Sequence, residues 1–551
     1  PDPTPDELRQ MLSFVAGAPV GDDYAELLAT ELTGATGPVW RAADLDPDRE
    51  LVVGIIGAGM SGLAAAHHLL QAGVRVVILE KNADVGGTWF ENRYPGCRVD
   101  VPNHLYSYSF LQRDDWPQQF SPQGVLLDYF RGCADELGVR PHIRFDTEVT
   151  AARYRDDHDD WELNLRAGPG PGPEERLRVD VLVSAVGQLN RPSLPDLPGR
   201  DSFHGPSVHS ARWDPSIDLT GARVAVVGTA ASGIQLIPEL AQVAAEVHVF
   251  QRTPNWFTPV ADYHREAPAG MQWLLRNVPH YREWYRLSLF WRLSEGALPA
   301  ARVDPAWARG GRSVSELNDL LRQWLTGYLE AELADRPDLL AAAVPSYPPL
   351  AKRMLLDDGT WPATLKRESV RLVTAPIERV TPTGIETRDG HHEVDAIVYA
   401  TGFRASEFLM PMRVTGPGGI DLHERWAGDP RAYLGLAVPG FPNLFCLYGP
   451  NTNLVANGSI IFFSECGARY VAGAVRLLLE RRARSMEVRR EVHDAFNAAV
   501  DAANAEMVWG VANVNSWYRA PNGRVTQNWP FTLLDYWQRT CRPDPEEFLL
   551  R

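Results

Sequence analysis

Two glycine-rich loops, each between an apolar strand pattern and a helical pattern, constrain this 551-residue chain more than any other feature. The first loop follows residues 51–56 and contains Gly57, Gly59 and Gly62. This spacing gives a tight turn, lets the backbone approach a pyrophosphate, and packs the helix closely on the strand. The next apolar strand ends at Glu80, whose carboxylate is placed to accept hydrogen bonds from ribose hydroxyls. Together these features predict a dinucleotide-binding unit.

The second loop has the same arrangement around Gly228 and Gly233. Its middle position is Ala230, and we expect the added methyl group to move the backbone slightly away from a bound pyrophosphate. The next strand ends at Arg252 and Thr253, where the first unit has an acid. A guanidinium there favours a 2′-phosphate, which it can bind in a fork. The two units therefore predict FAD at the first loop and NADPH at the second, and a solvated strand-end cation is the alternative for Arg252.

Composition narrows the functional classes. The chain carries a net charge of −16 with a pI near 5.4, so we expect no binding to nucleic acid or to an anionic membrane. No apolar run approaches the ~18 residues that a membrane span needs. The cysteines are odd in number and lack metal-ligand or paired redox spacing, which predicts a reducing, cytoplasmic location, no metal site and no disulfide-reductase chemistry. They are Cys97, Cys133, Cys446, Cys466 and Cys541.

Paired strand patterns indicate how the domains follow one another. The run Asp180-Val-Leu-Val-Ser-Ala-Val-Gly187 returns in similar form as Asp395-Ala-Ile-Val-Tyr-Ala-Thr401-Gly402. Such pairs look like the crossings between the flavin and nicotinamide domains of two-dinucleotide flavoproteins. We predict an α/β fold with two Rossmann-like domains, of which the FAD-binding one is discontinuous. The predicted division is an N-terminal helical extension (1–50), a first FAD-binding part (51–195), an NADPH-binding domain (196–390) with a helical insertion at about 263–345, and a second FAD-binding part with a C-terminal loop (391–551).

Three other regions carry weaker patterns. Residues 1–50 hold eleven Asp and Glu against three Lys and Arg, a charge of −8, and two short amphipathic patterns that could pack on the body or on a second subunit. A disordered extension is the alternative. Residues 149–165 predict a hairpin region, with a Gly/Pro turn at residues 168–173. The insertion is rich in aromatic residues at helical spacing, most of which we expect in the core.

A short run between the two loops is similar to the fingerprint of an enzyme family. The spacing Phe-x-Gly-x-x-x-His-x-x-x-Trp-Asp is carried by Phe203, Gly205, His209, Trp213 and Asp214. It resembles the fingerprint of type I Baeyer-Villiger monooxygenases, which are class B flavoproteins. The resemblance implies an FAD- and NADPH-dependent enzyme that converts ketones to esters or lactones with O2 through a flavin C4a-peroxide. Because the run lies in a linker between domains, His209 is expected to couple domain positions rather than to transfer protons.

A second stretch extends the resemblance, which covers about residues 51–531. Gly87, Thr88 and Trp89 begin a run that leads through a Tyr-Pro-Gly sequence to Asp100, and this run is similar to another fingerprint of the family. The resemblance implies that Trp89 covers part of the isoalloxazine ring. It also implies that Asp100 lies close to the reacting edge of the flavin.

Lys352 and Arg353 match the Lys-Arg pair of the family. By resemblance, Arg353 is the active-site arginine, Asp100 orients it, and Lys352 joins Arg252 at the 2′-phosphate of NADPH. A permanently charged guanidinium suits this role because it stabilises negative charge on oxygen. A buried ion pair without catalytic duty is the alternative. Further cofactor contacts are expected at Ser232, Thr401, Gly402, Asn451 and Trp517.

Two C-terminal segments refine the resemblance. Residues 449–459 look like the flavin-contacting turn of the 4-hydroxyacetophenone monooxygenase-like branch, which also has an N-terminal extension. Residues 515–523 resemble the mobile family loop whose Trp meets the nicotinamide, although Trp517 could equally be a core aromatic residue.

Three functions compete at this point. The first is ketone oxygenation, the second is oxygenation of N or S atoms by a related flavin monooxygenase, and the third is a nucleotide-binding partner or redox sensor without oxygenation. Asp100, Arg353 and the Trp213-Asp214 ending favour the first. The expected partners are a ketone, dioxygen and, through the acidic extension, a second copy of the chain as a homodimer.

Overall fold

Two parallel five-stranded sheets organise the computed structural model, which describes residues 4–33, 40–168, 174–294, 296–308 and 311–551. In the first sheet all neighbouring strands are parallel. Its spatial order is Leu444–Cys446, Val181–Ser184, Val52–Ile56, Arg75–Leu79 and Ile143–Arg144. Because one edge strand comes from residues 444–446, two separate parts of the chain build this sheet. The predicted discontinuous unit is therefore confirmed.

The second sheet is also parallel throughout. Its order is Val370–Val373, Glu246–Phe250, Arg223–Val227, Ala396–Tyr399 and Ser207–His209. The central strands of both sheets are β-branched and almost wholly buried, as is typical of parallel sheets covered by helices on both faces. A helix follows each glycine loop, Met60–Gln71 in the first unit and Ala231–Val243 in the second.

The repeated strand patterns occupy equivalent positions in the two sheets. In the first unit, the Asp180 carboxylate accepts a hydrogen bond from the N–H of Val52 at 2.8 Å. In the second, the Asp395 carboxylate accepts one from the N–H of Arg223, also at 2.8 Å. Each Asp thus fixes the register between the first strand of its unit and the strand that follows the Asp.

Among the described residues, four smaller sheets lie beside these units, and most of their strand pairs are antiparallel. The predicted hairpin consists of Thr147–Arg155 and Asp160–Ala167, and Glu174–Val179 and Arg413–Thr415 complete a four-stranded sheet. Residues 169–173 of the predicted Gly/Pro turn lie outside the described residues. The other strands are Ile377–Thr381, Gly384–Thr387 and Gly390–Glu393 in one meander, Phe257–Pro259 with Leu355–Asp357, and Met486–Val488 with Phe548–Leu550.

Helices supply the remainder of the packing, and in the described ranges none is long and apolar enough to cross a membrane. The N-terminal helices are Pro5–Ala16, Asp22–Thr33 and Ala42–Leu45. The insertion contains Ala269–Asn277, Tyr281–Ser294, Leu298–Ala301, Glu316–Glu332 and Pro337–Ala343. The others are Thr88–Glu91, Gln123–Glu136, Thr360–Leu365, Leu422–Trp426, Ile460–Glu480, Arg490–Ala505, Val508–Val511 and Leu533–Thr540.

Burial decides one question that the sequence left open and limits one expectation. Helices Pro5–Ala16 and Asp22–Thr33 pack on Tyr281–Ser294, so the alternative of a disordered extension is wrong for residues 4–33. In the insertion, Phe290 is buried as expected, but Trp273 and Trp324 are 59% and 52% exposed. Helical spacing reports which residues share a face, whereas the neighbours of that face depend on the rest of the fold.

Candidate active site

Backbone geometry shapes the first glycine loop for a phosphate. Gly57 has φ +104°, and a Cβ on it would lie 2.6 Å from the carbonyl oxygen of Ala185. A Cβ on Gly62 would lie 2.0 Å from the oxygen of Gly57. At Gly59 the nearest atom to an added Cβ is the Cα of Gly87, 3.6 Å away. Gly57 and Gly62 are thus required by protein contacts, whereas a Cβ on Gly59 would meet no protein atom closer than van der Waals contact. Gly59 lies at the helix N-terminus, where a pyrophosphate would need close approach to the backbone.

Glu80 lies buried at the end of the second strand of this unit. One carboxylate oxygen accepts a hydrogen bond from the N–H of Ala58 at 2.7 Å, and the other from that of Asn82 at 2.8 Å. Burial raises the pKa of Glu80, and these two N–H groups partly offset the effect. Each oxygen keeps a further lone pair, as a contact with ribose hydroxyls would need.

The second loop repeats this geometry. Gly228 has φ +107°, and a Cβ on it would lie 2.5 Å from the oxygen of Ala400. A Cβ on Gly233 would lie 2.3 Å from the oxygen of Gly228. Ala230 has φ −76° and ψ −168°, and the equivalent Gly59 has φ −80° and ψ −172°. The alanine methyl therefore leaves the loop backbone as it is in the first unit, and its effect on the approach of a pyrophosphate stays a prediction.

Two cations lie together beyond the second loop. Arg252 is exposed, and Lys352 is half-buried with its Nζ 5.6 Å from the ring centroid of Tyr347. Burial and, to a smaller extent, the charge of Arg252 together lower the pKa of Lys352 to about 8. Across the described ranges neither cation forms an ion pair with a carboxylate. Two like charges held together in this way favour an anionic ligand such as a 2′-phosphate.

The structure brings Arg353 and Asp100 together from positions 253 residues apart. Arg353 donates from Nη2 at 2.6 Å and from Nε at 3.1 Å, both to Oδ2 of Asp100. Their side chains are 35% and 25% exposed, so the pair faces a space that a ligand can reach. The carboxylate of Asp100 raises the pKa of Arg353, which keeps the guanidinium charged at all working pH values.

Three tyrosines that the sequence did not single out, Tyr106, Tyr448 and Tyr518, interact electrostatically with this pair. Tyr518 is fully buried, and its hydroxyl has no hydrogen-bond partner among the described residues. Burial raises the pKa of Tyr448 to about 12, and the charge of Arg353 opposes this shift. The hydroxyl of Tyr106 accepts a hydrogen bond from Nε1 of Trp89 at 3.3 Å. Adjacency to Trp517 and to the glycine turn at 449 was the only sequence signal for Tyr518 and Tyr448.

The Gly-x-Trp run passes the first loop closely. Gly87, with φ +52°, precedes the short helix Thr88–Glu91. A Cβ on Gly87 would lie 3.1 Å from the Cα of Gly59, so this run packs directly against the first glycine loop. Trp89 is buried and packs edge-on against Tyr106, with ring centroids 5.7 Å apart.

The Tyr-Pro-Gly stretch docks on the helix after the second loop. Gly96 has φ +78°, and a Cβ on it would lie 2.2 Å from the backbone oxygen of Gln235. The hydroxyl of Tyr94 donates to Oε1 of Gln235 at 2.9 Å, and Nε2 of Gln235 donates to the oxygen of Arg98 at 3.0 Å. Ser232, one turn earlier on that helix, lies beside the same tyrosine hydroxyl. This joint, which the sequence did not predict, connects the two nucleotide units.

His209 lies at the edge of the second sheet, in the strand Ser207–His209. Its Nδ1 accepts a hydrogen bond from the N–H of Ala211 at 3.1 Å, and its ring packs edge-on against Phe403. Burial lowers the pKa of His209 to about 4. The ring is therefore neutral at neutral pH, which agrees with a role in domain coupling rather than in proton transfer.

The other fingerprint residues support the same linker. A Cβ on Gly205 would lie 2.2 Å from the oxygen of Asp395, so the linker can approach the sheet only with glycine there. Phe203 and Trp213 pack at the edges of two hydrophobic cores. Asp214 closes a turn, accepting hydrogen bonds from the N–H and hydroxyl of Ser216 at 2.9 and 2.6 Å.

The two chain crossings between the nucleotide units bind each other. The hydroxyl of Thr401 donates to the oxygen of Ser193 at 2.5 Å. The N–H of Ser193 donates to the oxygen of Gly402 at 2.8 Å, where Gly402 has φ +80°. Thr401 and Gly402 thus hydrogen-bond one connection to the other, between the predicted cofactor sites.

Two predicted cofactor contacts have mainly protein neighbours. Asn451 is buried, donates from Nδ2 to the oxygen of Val525 at 2.8 Å, and accepts from Arg524 at 3.1 Å. Trp517 is half-buried, with its ring centroid 4.9 Å from that of Tyr518. Both residues hold the C-terminal segment against the site, and their contacts with a cofactor stay predictions.

Comparison with known proteins agrees with this geometry. Residues 50–273 match the family described as flavin-binding monooxygenase-like. A monooxygenase of Sinorhizobium fredii, y4iD, is 38% identical over 99% of this chain and 82% of its own length. A Baeyer-Villiger monooxygenase of Streptomyces coelicolor is 36% identical over 90% of this chain and 92% of its own length. The crystal structure of OTEMO in complex with FAD and NADP superposes with a TM-score of 0.79 at 30% identity, covering 91% of this chain and 99% of that one.

The chain therefore belongs to the flavin-binding monooxygenase-like family, among relatives that include Baeyer-Villiger monooxygenases. It is an enzyme with sites for FAD and NADP. Within the ranges that the structure covers, no group of three or more His, Cys, Asp or Glu side chains could hold a metal ion.

Proposed function

We propose that the Arg353–Asp100 pair is the centre at which this Baeyer-Villiger monooxygenase converts ketones to esters or lactones. The observation that carries the proposal is the guanidinium held by a single carboxylate oxygen in a partly exposed position. Nη1 of Arg353 and Oδ1 of Asp100 are left without a partner in the described part of the chain. The pair is thus oriented internally and still offers a donor to a ligand.

Each surrounding group has a part in this chemistry. The chemistry that bound FAD would supply is acceptance of a hydride from NADPH and transfer of one atom of dioxygen to the ketone, with the other atom released as water. Arg353 stabilises the negative charge that develops on oxygen during the attack on the carbonyl. Asp100 keeps the guanidinium in place. Burial raises the pKa of Tyr448 and Tyr518, so these hydroxyls stay neutral and do not give up a proton readily. Exclusion of water from the site favours ester over hydrogen peroxide.

The cofactor positions follow from the two loops. FAD would lie on the first loop, with Glu80 at its ribose and Trp89 beside its ring. Its predicted contacts are Gly57, Gly59, Gly62, Glu80, Gly87, Thr88, Trp89, Asp100, Thr401, Gly402 and Asn451. NADPH would lie on the second loop, with Arg252 and Lys352 at its 2′-phosphate. Its predicted contacts are Gly228, Ser232, Gly233, Arg252, Thr253, Lys352 and Trp517.

A finer placement rests on the N-terminal extension and the turn at residues 449–459. Both features support membership of the 4-hydroxyacetophenone monooxygenase-like branch. The acidic extension is also our candidate for a homodimer contact, and the unpaired cysteines support a cytoplasmic enzyme.

The test uses FAD-loaded protein with NADPH, labelled dioxygen and a panel of cyclic, linear and aryl ketones. Ester or lactone that contains one ¹⁸O atom, detected by mass spectrometry, is the expected result. NADPH oxidation that gives only hydrogen peroxide with every ketone, together with oxygenation of amines or sulfides, would assign the related heteroatom activity instead.

A further inference from the structure

The N-terminal extension contributes a buried carboxylate to the helical insertion. Glu31 lies in helix Asp22–Thr33, and Arg286 lies in helix Tyr281–Ser294. Nη1 of Arg286 donates to Oε2 of Glu31, and it also lies 3.4 Å from the carbonyl oxygen of Glu31. The two side chains are only 3% and 4% exposed. Loss of one partner would leave the other charge buried and uncompensated, so the extension and the insertion depend on each other.

A second buried carboxylate, in the FAD-binding part, interacts electrostatically with this ion pair. Glu465, in helix Ile460–Glu480, accepts two hydrogen bonds of 2.7 Å from the N–H and hydroxyl of Ser109. Burial raises the pKa of Glu465 to about 7; the charge of Glu31 adds to this effect and that of Arg286 opposes it. The charge from the extension therefore acts on a helix that begins beside the first loop. Ser464 on that helix lies 2.9 Å, hydroxyl to hydroxyl, from Ser61 in the first turn after Gly59.

The insertion helix continues this connection at its C-terminal end. The carbonyl oxygen of Leu293 accepts a hydrogen bond from the N–H of Gly458 at 2.7 Å. Gly458 directly precedes Ser459, the N-cap of helix Ile460–Glu480. Helix Tyr281–Ser294, which is ion-paired to Glu31, therefore also contacts the N-terminus of helix Ile460–Glu480.

The chain that follows the insertion helix supports Arg353. Leu298 and Ala301 share one buried core with Leu350, Ala351 and Tyr518. These last three residues flank or face Arg353, whose next neighbour in sequence, Met354, packs at the edge of the same core. The insertion is therefore fixed by the extension on one side and forms the support of the active-site arginine on the other.

We propose that Glu31 is a positioning residue: its ion pair with Arg286 holds the insertion against the FAD-binding part, so that Arg353 stays in place and water stays out. The inference rests on the function proposed for Arg353. The N-terminal extension would then support the active site through packing, without contributing a group that contacts the substrate.

The test measures how much hydrogen peroxide and how much ester form per NADPH oxidised by the FAD-loaded protein that carries Glu31→Gln. With a ketone that the unmodified protein converts, the fraction of oxidised NADPH that appears as hydrogen peroxide should rise about threefold or more. Glu26→Gln is the matched control, because it removes the same charge from an exposed position on the same helix. That variant should keep the peroxide fraction of the unmodified protein.

A second pair of variants separates positioning from simple stability. Glu31→Gln with Arg286→Gln removes both buried charges, so its melting temperature should exceed that of Glu31→Gln alone while its peroxide fraction stays raised. If Glu31→Gln does not accumulate as folded protein, Glu31→Asp keeps the charge on a shorter side chain and should show a smaller rise. An unchanged peroxide fraction in these variants, with or without a lower melting temperature, overturns the inference.

Failure of the inference and of the proposed function are distinguishable. If the unmodified protein makes no ester from any ketone, the proposed function fails before a variant is compared. If it makes ester and the Glu31 variants couple NADPH oxidation to ester formation equally well, only the role of Glu31 is wrong.

Discussion

Nε and Nη2 of Arg353 both donate to one carboxylate oxygen of Asp100, at 3.1 and 2.6 Å. Bidentate Arg–carboxylate pairs commonly use both carboxylate oxygens, each of which accepts from one of two parallel N–H groups. Here one donor edge and one acceptor oxygen are left over, in side chains that are a third and a quarter exposed. This arrangement orients the guanidinium and leaves N–H groups of Arg353 able to donate to a ligand.

Replacement of the arginine should therefore separate two steps. Arg353→Lys keeps a positive charge but loses the planar fork, so ester formation should fall about 100- to 1000-fold. Reduction of the flavin by NADPH should continue, because the predicted NADPH contacts lie elsewhere. Stopped-flow absorbance of the flavin and mass spectrometry of the ester measure the two steps. Ester formation that survives Arg353→Lys at the original rate would contradict the assignment.

Lys352 should control the choice between NADPH and NADH. A charge-assisted hydrogen bond contributes about 1.5–3 kcal/mol, so Lys352→Met should lower kcat/KM for NADPH roughly 10- to 100-fold and leave that for NADH nearly unchanged. Lys366→Met is the control, because Lys366 pairs with Asp335. Equal losses with both cofactors would place Lys352 outside the 2′-phosphate site.

The same lysine predicts a pH dependence. The pKa of Lys352 is lowered to about 8, so the side chain is charged below this pH and loses its charge as pH rises through it. NADPH should accordingly bind more weakly at pH 9 than at pH 7, while NADH shows no such trend. The Lys352→Met variant should remove the difference between the two cofactors, and steady-state KM values across this range provide the measurement.

Gly96 should be the least replaceable residue of the joint between the two units. Gly96→Ala places a methyl group 2.2 Å from the Gln235 oxygen, in addition to about 1–3 kcal/mol for its positive φ. The variant should melt at a lower temperature and release more peroxide. Gly221→Ala has a similar φ of +69° with no atom within 4 Å, so it should lower the melting temperature without uncoupling. Identical behaviour of the two variants would argue against a docking role for Gly96.

His209 should act by packing and not by titration. Since burial lowers its pKa to about 4, the ring is neutral between pH 6 and 9, and the pH profile of kcat in this range should keep its shape in His209→Gln. The absolute rate should fall, because the contacts with Ala211 and Phe403 are lost. A profile that loses an inflection in the variant would make His209 a proton-transferring group.

Sequence patterns were sufficient where the physical constraint is local. Gly57 and Gly228 need positive φ and a close approach to a neighbouring strand, and both needs appear as glycine at fixed spacing. The repeated runs that begin at Asp180 and Asp395 predicted the discontinuous sheet through their likeness to the domain crossings of two-dinucleotide flavoproteins. Residue type alone did not report that the φ and ψ at Ala230 match those at Gly59.

Tertiary structure alone decided the rest. The electrostatic interactions of Tyr448 and Tyr518 with Arg353, the docking of Gly96 on Gln235 and the Glu31–Arg286 pair all join residues from distant parts of the chain. An isolated Tyr or Glu has no local pattern that names its partner, since burial and a neighbouring charge arise only when separate elements pack together. Local sequence therefore determined the nucleotide loops and the fold class, whereas long-range packing determined the surroundings of the Arg353–Asp100 pair and the packing of the N-terminal extension.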